Sequence, residues 1–398
     1  MPHEPRAKPL IGLKVLDLTQ VLAGPYCTRL LADAGAEVIK IEPPIGDSTR
    51  QYPAVLGLNY SGYFLWLNCG KKSVVADLRT EGGRDLVKAL AANADVFIEN
   101  SRPGSLSRKG FGYNDLNRLN PNLIVCSISA FGHTGIFSDR AGHGIVAEGR
   151  AGVIDMTGYP DGSPVPPGVS LADVSAGIHA YAAIMTALYK RALSGGGGEF
   201  VDVSLFDAAL PFHETALEEA EFAGSNPTRS GAEHRAVVPY GVYEAPDGFL
   251  VIAAGTQGLW DRLSALLTDT LGPARVDIST NEQRIQHRSE VRSRIQHWLE
   301  YQGSRDVALA TLDEAGIPSG PIERVKDVAH GELAVSRGSF VSVPDHVLGQ
   351  AWVLNTPYRM TNAVVGVTSR APRLGEHTEK VTEALNDENG GTGWGTNL

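Results

Sequence analysis

Short apolar runs alternate with helical patterns over the first 130 residues of the chain. The run Val15–Leu18 precedes AGPYCTRLLADAGA, a helical pattern with Pro25 where the first helical residue is expected and Gly35 where a C-terminal cap is expected. Three further strand patterns, each after a helical pattern, lie at residues 38–41, 95–98 and 123–128. This alternation predicts an α/β fold in which helices cover both faces of a mostly parallel sheet.

A long apolar segment, VSAGIHAYAAIMTALYKRAL, occupies residues 174–193. It is apolar on nearly every face and rich in alanine and glycine, which predicts a helix buried inside the domain. A strand pattern at 200–205 follows, and then a helical stretch through Phe222. The next segment, AGSNPTRSGAEHRA, has the composition of a linker.

The pattern of predicted elements changes after this linker. The segment PYGVYEAPDGFLVIAAG predicts a β-hairpin around a Pro-Asp-Gly turn. Amphipathic helices are predicted near 257–267, 283–299 and 305–315, and a second hairpin at 340–343 and 350–353. We therefore predict a large domain over residues 1–225, a smaller α+β domain over 226–327, and a return to the large domain over 328–398. The tail from about residue 386 is expected to be disordered, because it is too rich in Gly, Asn and Thr to pack.

Composition narrows the class of protein. With 42% hydrophobic and 20% charged residues the chain is globular, and its net charge of −10 disfavours nucleic-acid binding. The three cysteines, Cys27, Cys69 and Cys126, are too far apart for a zinc or iron–sulfur motif and fit a reducing compartment. No signal-peptide pattern occurs, and no apolar run approaches the ~18 residues of a membrane span. We expect a soluble cytoplasmic protein with no nucleic-acid, membrane or metal partner.

Several common chemistries lack their motifs. The turn Gln20–Pro25, after the first strand, has no G-x-G-x-x-G, so it does not fit NAD or FAD binding. Gly195–Gly198 lacks the Lys-Ser/Thr of a phosphate loop and precedes a strand, which favours a flexible turn. Neither H-E-x-x-H nor G-x-S-x-G occurs, so zinc and serine hydrolysis have no anchor.

Three polar features remain open on local grounds. Asp173 ends PPGVSLAD, just before the long apolar helix, and fits either an N-cap or a nucleophile. His143 lies in a glycine-rich loop as an acid, a base, a ligand or none of these. Arg102, Arg108 and Lys109 follow a strand end in ENSRPGSLSRKGFG, where both a solvated loop and an anion site are consistent with the pattern.

Taken together, seven stretches of the chain resemble the class III coenzyme A transferases, which include formyl-CoA transferase, carnitine CoA-transferase and the related α-methylacyl-CoA racemases. The stretches are GLKVLDLTQVLAGPYCTRLLADAGAEVIKIEPPIGDSTR, NCGKKSVVADLRTEGG, ADVFIENSRPGSLSRKGFGY, PPGVSLADVSAG, VPYGVYEAPDG, GIPSGPI and RAPRLGEHT, in the family's order. The resemblance implies a Rossmann-like large domain with a parallel sheet built from both chain ends, a smaller α+β domain, and a homodimer with interlocked subunits.

The resemblance makes Asp173 the catalytic residue. An aspartate with a reference pKa of about 3.9 is ionised at neutral pH and attacks a thioester without a partner base. The expected intermediates are an acyl-aspartyl anhydride and then an aspartyl-CoA thioester. Coenzyme A is a substrate in this scheme, and no cofactor is expected.

The resemblance also assigns the surroundings of Asp173. His143, Gly144 and Ala23 are expected to line the active site. The positions expected to bind CoA, several of them suited to phosphate, are Leu78, Arg79, Asn100, Arg102, Arg108, Lys109 and Arg140. The chain departs from some transferases at Pro43, where they have an arginine, and it has no glycine-rich lid between the linker and PYGVY.

The expected reaction is transfer of CoA from an acyl-CoA to a small carboxylic acid, a di- or hydroxycarboxylic acid by family precedent, with succinyl-CoA a common donor. One alternative is an α-methylacyl-CoA racemase, which needs two acid/base groups that His143 and Asp173 would supply. Gly144 and Thr256 stand where that branch has acidic residues, which favours transfer. The second alternative is a non-catalytic acyl-CoA-binding protein that does not depend on Asp173.

Overall fold

The structure is a computed structural model that describes residues 7–52, 61–386 and 392–395. The chain forms two compact units. The first unit comprises Met1–Ala151, Gly168–Phe212 and Ala329–Leu398, and the second comprises Gly152–Pro167 and His213–Val328. The second unit therefore begins before the predicted residue 226 and includes an excursion from the first unit. Sequence patterns missed that excursion because Gly152–Pro167 contains no strand or long helix.

Six parallel strands form the sheet of the first unit, in the order β3-β2-β1-β4-β5-β6. Their bounds are β1 Lys14–Asp17, β2 Glu37–Glu42, β3 Lys72–Val75, β4 Val96–Glu99, β5 Ile124–Ser129 and β6 Glu199–Ser204. The central strands are buried, as expected for a parallel sheet covered on both faces. The predicted α/β class is confirmed, and the strand order reverses between β1 and β4.

The helices that accompany this sheet in the first unit are mostly short. They are α1 Ala23–Asp33, α2 Gly62–Asn68, α3 Glu81–Ala91, α4 Tyr113–Leu119, α5 Gly144–Arg150, α6 Leu171–Ser194 and α7 Leu205–Ala209, with 3-10 turns at Ser48–Gln51, Ser107–Lys109 and Leu210–His213. Helix α1 begins two residues before Pro25, which still lies in the first turn, where no intrahelical N–H bond is lost. Gly35 follows the helix with φ +108°, a conformation that favours glycine.

The second unit is built around an antiparallel sheet in the order β7-β8-β9. Its elements are α8 Ala216–Ala223, β7 Tyr240–Ala245, β8 Gly248–Ala253, α9 Gln257–Leu271, α10 Asn281–Gln286, α11 Arg288–Gln302, α12 Arg305–Glu314, β9 Ser319–Pro321 and α13 Val325–Val328. The predicted hairpin at β7 and β8 is confirmed. The helical stretch predicted through Phe222 is instead interrupted between α7 and α8.

The C-terminal segment returns to the first unit with α14 Glu332–Arg337, the hairpin of β10 Phe340–Asp345 and β11 Gly349–Leu354, and α15 Thr378–Leu385. All six strands of the large sheet come from residues before 205, so the C-terminal end contributes to the domain but not to that sheet. It covers the edge strand β3 instead. His377 Nδ1 accepts a hydrogen bond from the Ser73 N–H (3.2 Å), and Thr378 Oγ1 accepts one from the Val75 N–H (2.9 Å).

The expectation that the tail does not pack is wrong at Trp394. This side chain is buried, and its Nε1 donates a hydrogen bond to the Leu90 carbonyl (3.2 Å). A single indole buries enough apolar surface to anchor a polar segment. Residues 387–391 and 396–398 of the predicted disordered tail lie outside the described residues.

The sequence predicted that helix α6 is buried on nearly every face, but in the structure one face of the helix is exposed. Alanines face the rest of the unit, whereas Ile178, Tyr189 and Leu193 are exposed. By length and composition alone α6 is apolar enough to cross a membrane, contrary to the sequence expectation. That is weak grounds for a membrane span, because a core helix of a soluble protein has the same properties. At Gly177 a Cβ would lie 2.6 Å from the Ala23 carbonyl oxygen, so glycine permits α1 and α6 to approach closely.

Candidate active site

A cavity of about 410 Å³ opens at the carboxyl ends of β1, β4 and β5. It lies where the strand order reverses, which is where open α/β sheets bind their ligands. Its walls come from the loops after these strands and from the start of α6. They include Gln20, Val21, Ala23, Asn100, Arg102, Ser129, Arg140, His143 and Asp173.

A second cavity of about 370 Å³ lies beside the first. The two share Leu18, Gln20 and Ser101 as lining residues. The second cavity has mostly apolar walls, with Asp77, Arg79 and Lys109 as its charged residues; its lining also includes Pro43, Ile45, Leu78 and Leu106. Side by side, the two cavities suit an elongated ligand whose ends differ in chemistry.

Asp173 lies in the first turn of α6, three residues after the N-cap Ser170, so it is not the N-cap. It is half-buried, and its carboxylate lies directly against Gly144, where an added Cβ would overlap Oδ2. Burial raises the pKa of Asp173, the Glu148 carboxylate raises this pKa further, and His143 lowers it. A partly dehydrated carboxylate facing a cavity is suited to nucleophilic attack.

The loop between β1 and α1 is held in an unusual conformation. Val21 has φ +70°, which is strained for a β-branched residue. Asn100 clamps the preceding residue, because its amide donates to the Gln20 carbonyl (2.7 Å) and accepts from the Gln20 N–H (2.9 Å). Buried Lys40 donates to the Thr19 carbonyl (2.7 Å). These contacts fix the part of the cavity wall that Gln20 and Val21 form.

Most of the residues predicted from the sequence to form the site line one of these two cavities. Asp173, His143, Ala23, Asn100, Arg102 and Arg140 line the first cavity; Leu78, Arg79 and Lys109 line the second. Arg108 is exposed and lines neither cavity. The Asn100 amide is already hydrogen-bonded to the backbone of Gln20, and Arg79 forms an ion pair with Asp77 (2.7 Å).

Three further residues were not found by sequence reasoning. Glu148 is buried behind Asp173, and the Ser129 hydroxyl is buried in the cavity wall with no hydrogen-bond partner among the described residues. The pKa of Tyr63 is raised to about 12 by burial and by the charge of Asp173, which places this phenol in the same electrostatic environment. The one available signal was the four-residue spacing of Gly144 and Glu148, which puts both on one helix face.

Within the described ranges, no group of three or more His, Cys, Asp or Glu side chains is arranged to hold a metal ion.

Two neighbouring basic residues after β4, Arg108 and Lys109, are expected to differ in their contribution to acyl-CoA binding. We expect Lys109→Ala to raise the KM for an acyl-CoA about 5- to 20-fold with little change in kcat, because a phosphate contact remote from the thioester stabilises ground and transition states alike. Arg108→Ala, its matched control, is expected to change KM less than about 2-fold. Steady-state kinetics of both variants test this, and a larger effect of Arg108→Ala would contradict the assignment.

The fold and site define an α/β enzyme with a carboxylate in the crevice at the strand reversal. Residues 10–378 match CoA-transferase family III. The chain is 36% identical to succinyl-CoA:glutarate CoA-transferase of Mus musculus, over 95% of this chain and 86% of that one. It is 35% identical to succinyl-CoA–D-citramalate CoA-transferase of Chloroflexus aurantiacus, over 94% and 93%. A CaiB/BaiF family protein from Brucella suis has the same fold, with a TM-score of 0.84 at 37% identity, over 96% of this chain and 100% of that one. The protein belongs to CoA-transferase family III and is a CoA-transferase.

Proposed function

We propose that this enzyme moves CoA from an acyl-CoA donor to a small di- or hydroxycarboxylic acid through covalent intermediates on Asp173. The observation that carries the proposal is the half-buried Asp173 carboxylate in a cavity adjoined by a second, mostly apolar cavity that Lys109 lines. The acceptors in the names of the two transferase relatives are dicarboxylic acids, which supports this substrate class. Succinyl-CoA is the first donor to test.

The steps balance without any other reactant. An Asp173 oxygen attacks the thioester carbonyl, the C–S bond breaks, and CoA thiolate leaves an acyl-aspartyl anhydride. The thiolate attacks Cγ of Asp173 and releases the donor acid, which gives aspartyl-CoA. The acceptor carboxylate attacks the same Cγ and releases the thiolate, which then attacks the acceptor carbonyl and frees Asp173. No net proton transfer and no cofactor are required.

The walls of the first cavity support a polar acyl group. The unpartnered Ser129 hydroxyl is a buried polar group of the kind that a bound ligand satisfies. Arg140 and His143 are exposed to the same cavity, where they could meet a second carboxylate.

A donor and acceptor panel tests this function. Succinyl-CoA and other acyl-CoA thioesters are incubated with C2 to C6 acids without added metal or cofactor, and new thioesters are measured by chromatography. In parallel, hydroxylamine is added with the donor alone, and mass spectrometry locates the modification. A hydroxamate on Asp173 with exchange between acids supports the proposal; thioester binding without any hydroxamate would contradict covalent catalysis on Asp173.

Substitutions of His143, which lines the same cavity as Asp173, distinguish the racemase alternative from CoA transfer. We expect His143→Ala to slow transfer by about 10- to 100-fold through loss of a hydrogen-bond donor, and His143→Gln to retain appreciable activity. Exchange of the α-proton in heavy water is measured on the same samples. If the wild-type enzyme exchanges this proton and His143→Gln stops the exchange, the enzyme is a racemase.

We also propose a homodimer in the cytoplasm. The apolar side chains exposed on α6 support a second copy as the partner of that face, and three buried free cysteines fit a reducing compartment. Light scattering after size-exclusion chromatography tests the dimer. Leu193→Glu should favour the monomer, whereas Val325→Glu, at an exposed site in the second unit, should not.

A further inference from the structure

Glu148 is a buried carboxylate that the reaction scheme does not use. It lies one turn after Gly144 on α5, and only 3% of the residue is exposed. Its Oε1 accepts a hydrogen bond from the N–H of Ala172, the residue before Asp173 (3.1 Å). Because Gly144 at the start of the same helix contacts Asp173 itself, α5 touches the nucleophile's turn at two points.

The charge of Glu148 is not needed for that hydrogen bond. A buried carboxylate is unfavourable unless it is paired, yet no Lys, Arg or His among the described residues forms an ion pair with Glu148. A glutamine of nearly the same shape would accept the Ala172 N–H without this penalty. The N-terminus of α6 favours a negative charge at this place, and that charge lies beside the nucleophile.

Resting on the proposed nucleophile, we propose that Glu148 is a positioning residue whose hydrogen bond holds the first turn of α6 and whose charge drives Asp173 toward its covalent intermediates. Two neighbouring carboxylates repel each other while Asp173 is free. Once Asp173 is acylated it is neutral, and that repulsion disappears. The charge of Glu148 thus raises the free energy of the free enzyme relative to both the anhydride and the aspartyl-CoA thioester.

The electrostatics of the site agree with this role. After burial, Glu148 is the next largest cause of the raised pKa of Asp173, and His143 acts in the opposite direction. Other ionisable groups lie on the elements around Asp173. They are Tyr63 on α2, Tyr26 on α1, Arg140 in the cavity wall and the exposed Asp207 on α7.

Two substitutions separate the charge from the hydrogen bond. Glu148→Gln keeps an acceptor for the Ala172 N–H and removes the charge, whereas Glu148→Ala removes both. For Glu148→Gln we expect kcat to fall about 5- to 20-fold, with KM for the acyl-CoA within about 2-fold of wild type and less hydroxylamine-trapped Asp173. Glu148→Ala should lose more activity and also lower Tm. Glu379→Gln, an exposed acid on α15, is the matched control and should behave as wild type.

The pH profile supplies a readout that a purely structural role would not change. Transfer needs ionised Asp173, so kcat/KM falls as the pH drops through the pKa of Asp173. Removing the charge of Glu148 lowers that pKa, and the acid limb should move to lower pH in Glu148→Gln. An unchanged acid limb and unchanged trapping in Glu148→Gln, with wild-type trapping intact, would overturn the inference. Absence of any hydroxamate in the wild-type enzyme would instead overturn the proposed function itself.

Discussion

Asp173→Asn is expected to reduce CoA transfer below about a hundredth of the wild-type rate while leaving CoA affinity nearly unchanged. The amide presents no nucleophilic oxygen for the thioester, but the walls that hold the rest of the ligand remain. Both forms of residue 173 fit the half-buried first turn of α6. The transfer assay and calorimetric titration with CoA measure the two quantities, and Asp173→Ala should give the same pattern.

Asp207→Asn is the matched control for this substitution. It removes a carboxylate from the first turn of α7, in the same unit, at an exposed residue outside both cavities. We expect wild-type transfer from this variant. A residual rate above about a hundredth in Asp173→Asn would mean that another group is the nucleophile.

Gly144→Ala is expected to lower kcat by about 100-fold or more, because one methyl group displaces the nucleophile. An added Cβ would overlap Asp173 Oδ2, and the carboxylate must rotate or shift to admit it. Gly144 is the first residue of α5 and does not have a positive φ, so alanine is compatible with the backbone there. We therefore expect an inactive enzyme that remains folded, which transfer kinetics and thermal unfolding measure together.

Gly168→Ala provides the comparison for Gly144→Ala. Gly168 lies shortly before α6, and an added Cβ there meets no atom within 4 Å. This variant should keep near wild-type kcat. Equal activity of the two variants would show that Asp173 does not need its position against Gly144, and the proposed geometry of attack would then be wrong.

Local periodicity was sufficient for most of the fold. The strands β1, β2, β4, β5 and β6 and the hairpin of β7 and β8 followed from apolar runs and turn residues, because burial on a sheet requires those patterns wherever the strand lies; the edge strand β3 was not predicted. Helix ends were less certain, as the start of α1 before Pro25 shows. The transferase family also followed from the chain, and so did the prediction that Asp173 is the nucleophile, since motifs are local strings of residues.

The arrangement around Asp173 depended on contacts between segments that are distant in sequence. Glu148 and Ala172 are 24 residues apart, and Asn100 and Gln20 are 80 apart, so no local pattern indicated either hydrogen bond. No local pattern indicated that Lys109 lines a cavity whereas its neighbour Arg108 lines neither cavity. Side-chain type states what a residue is able to do, whereas its partner, burial and charge environment arise only when the chain packs. Those three properties set the pKa of Asp173 and leave no room for a side chain at Gly144, and for that reason the chemistry of the site could be worked out only from the tertiary structure.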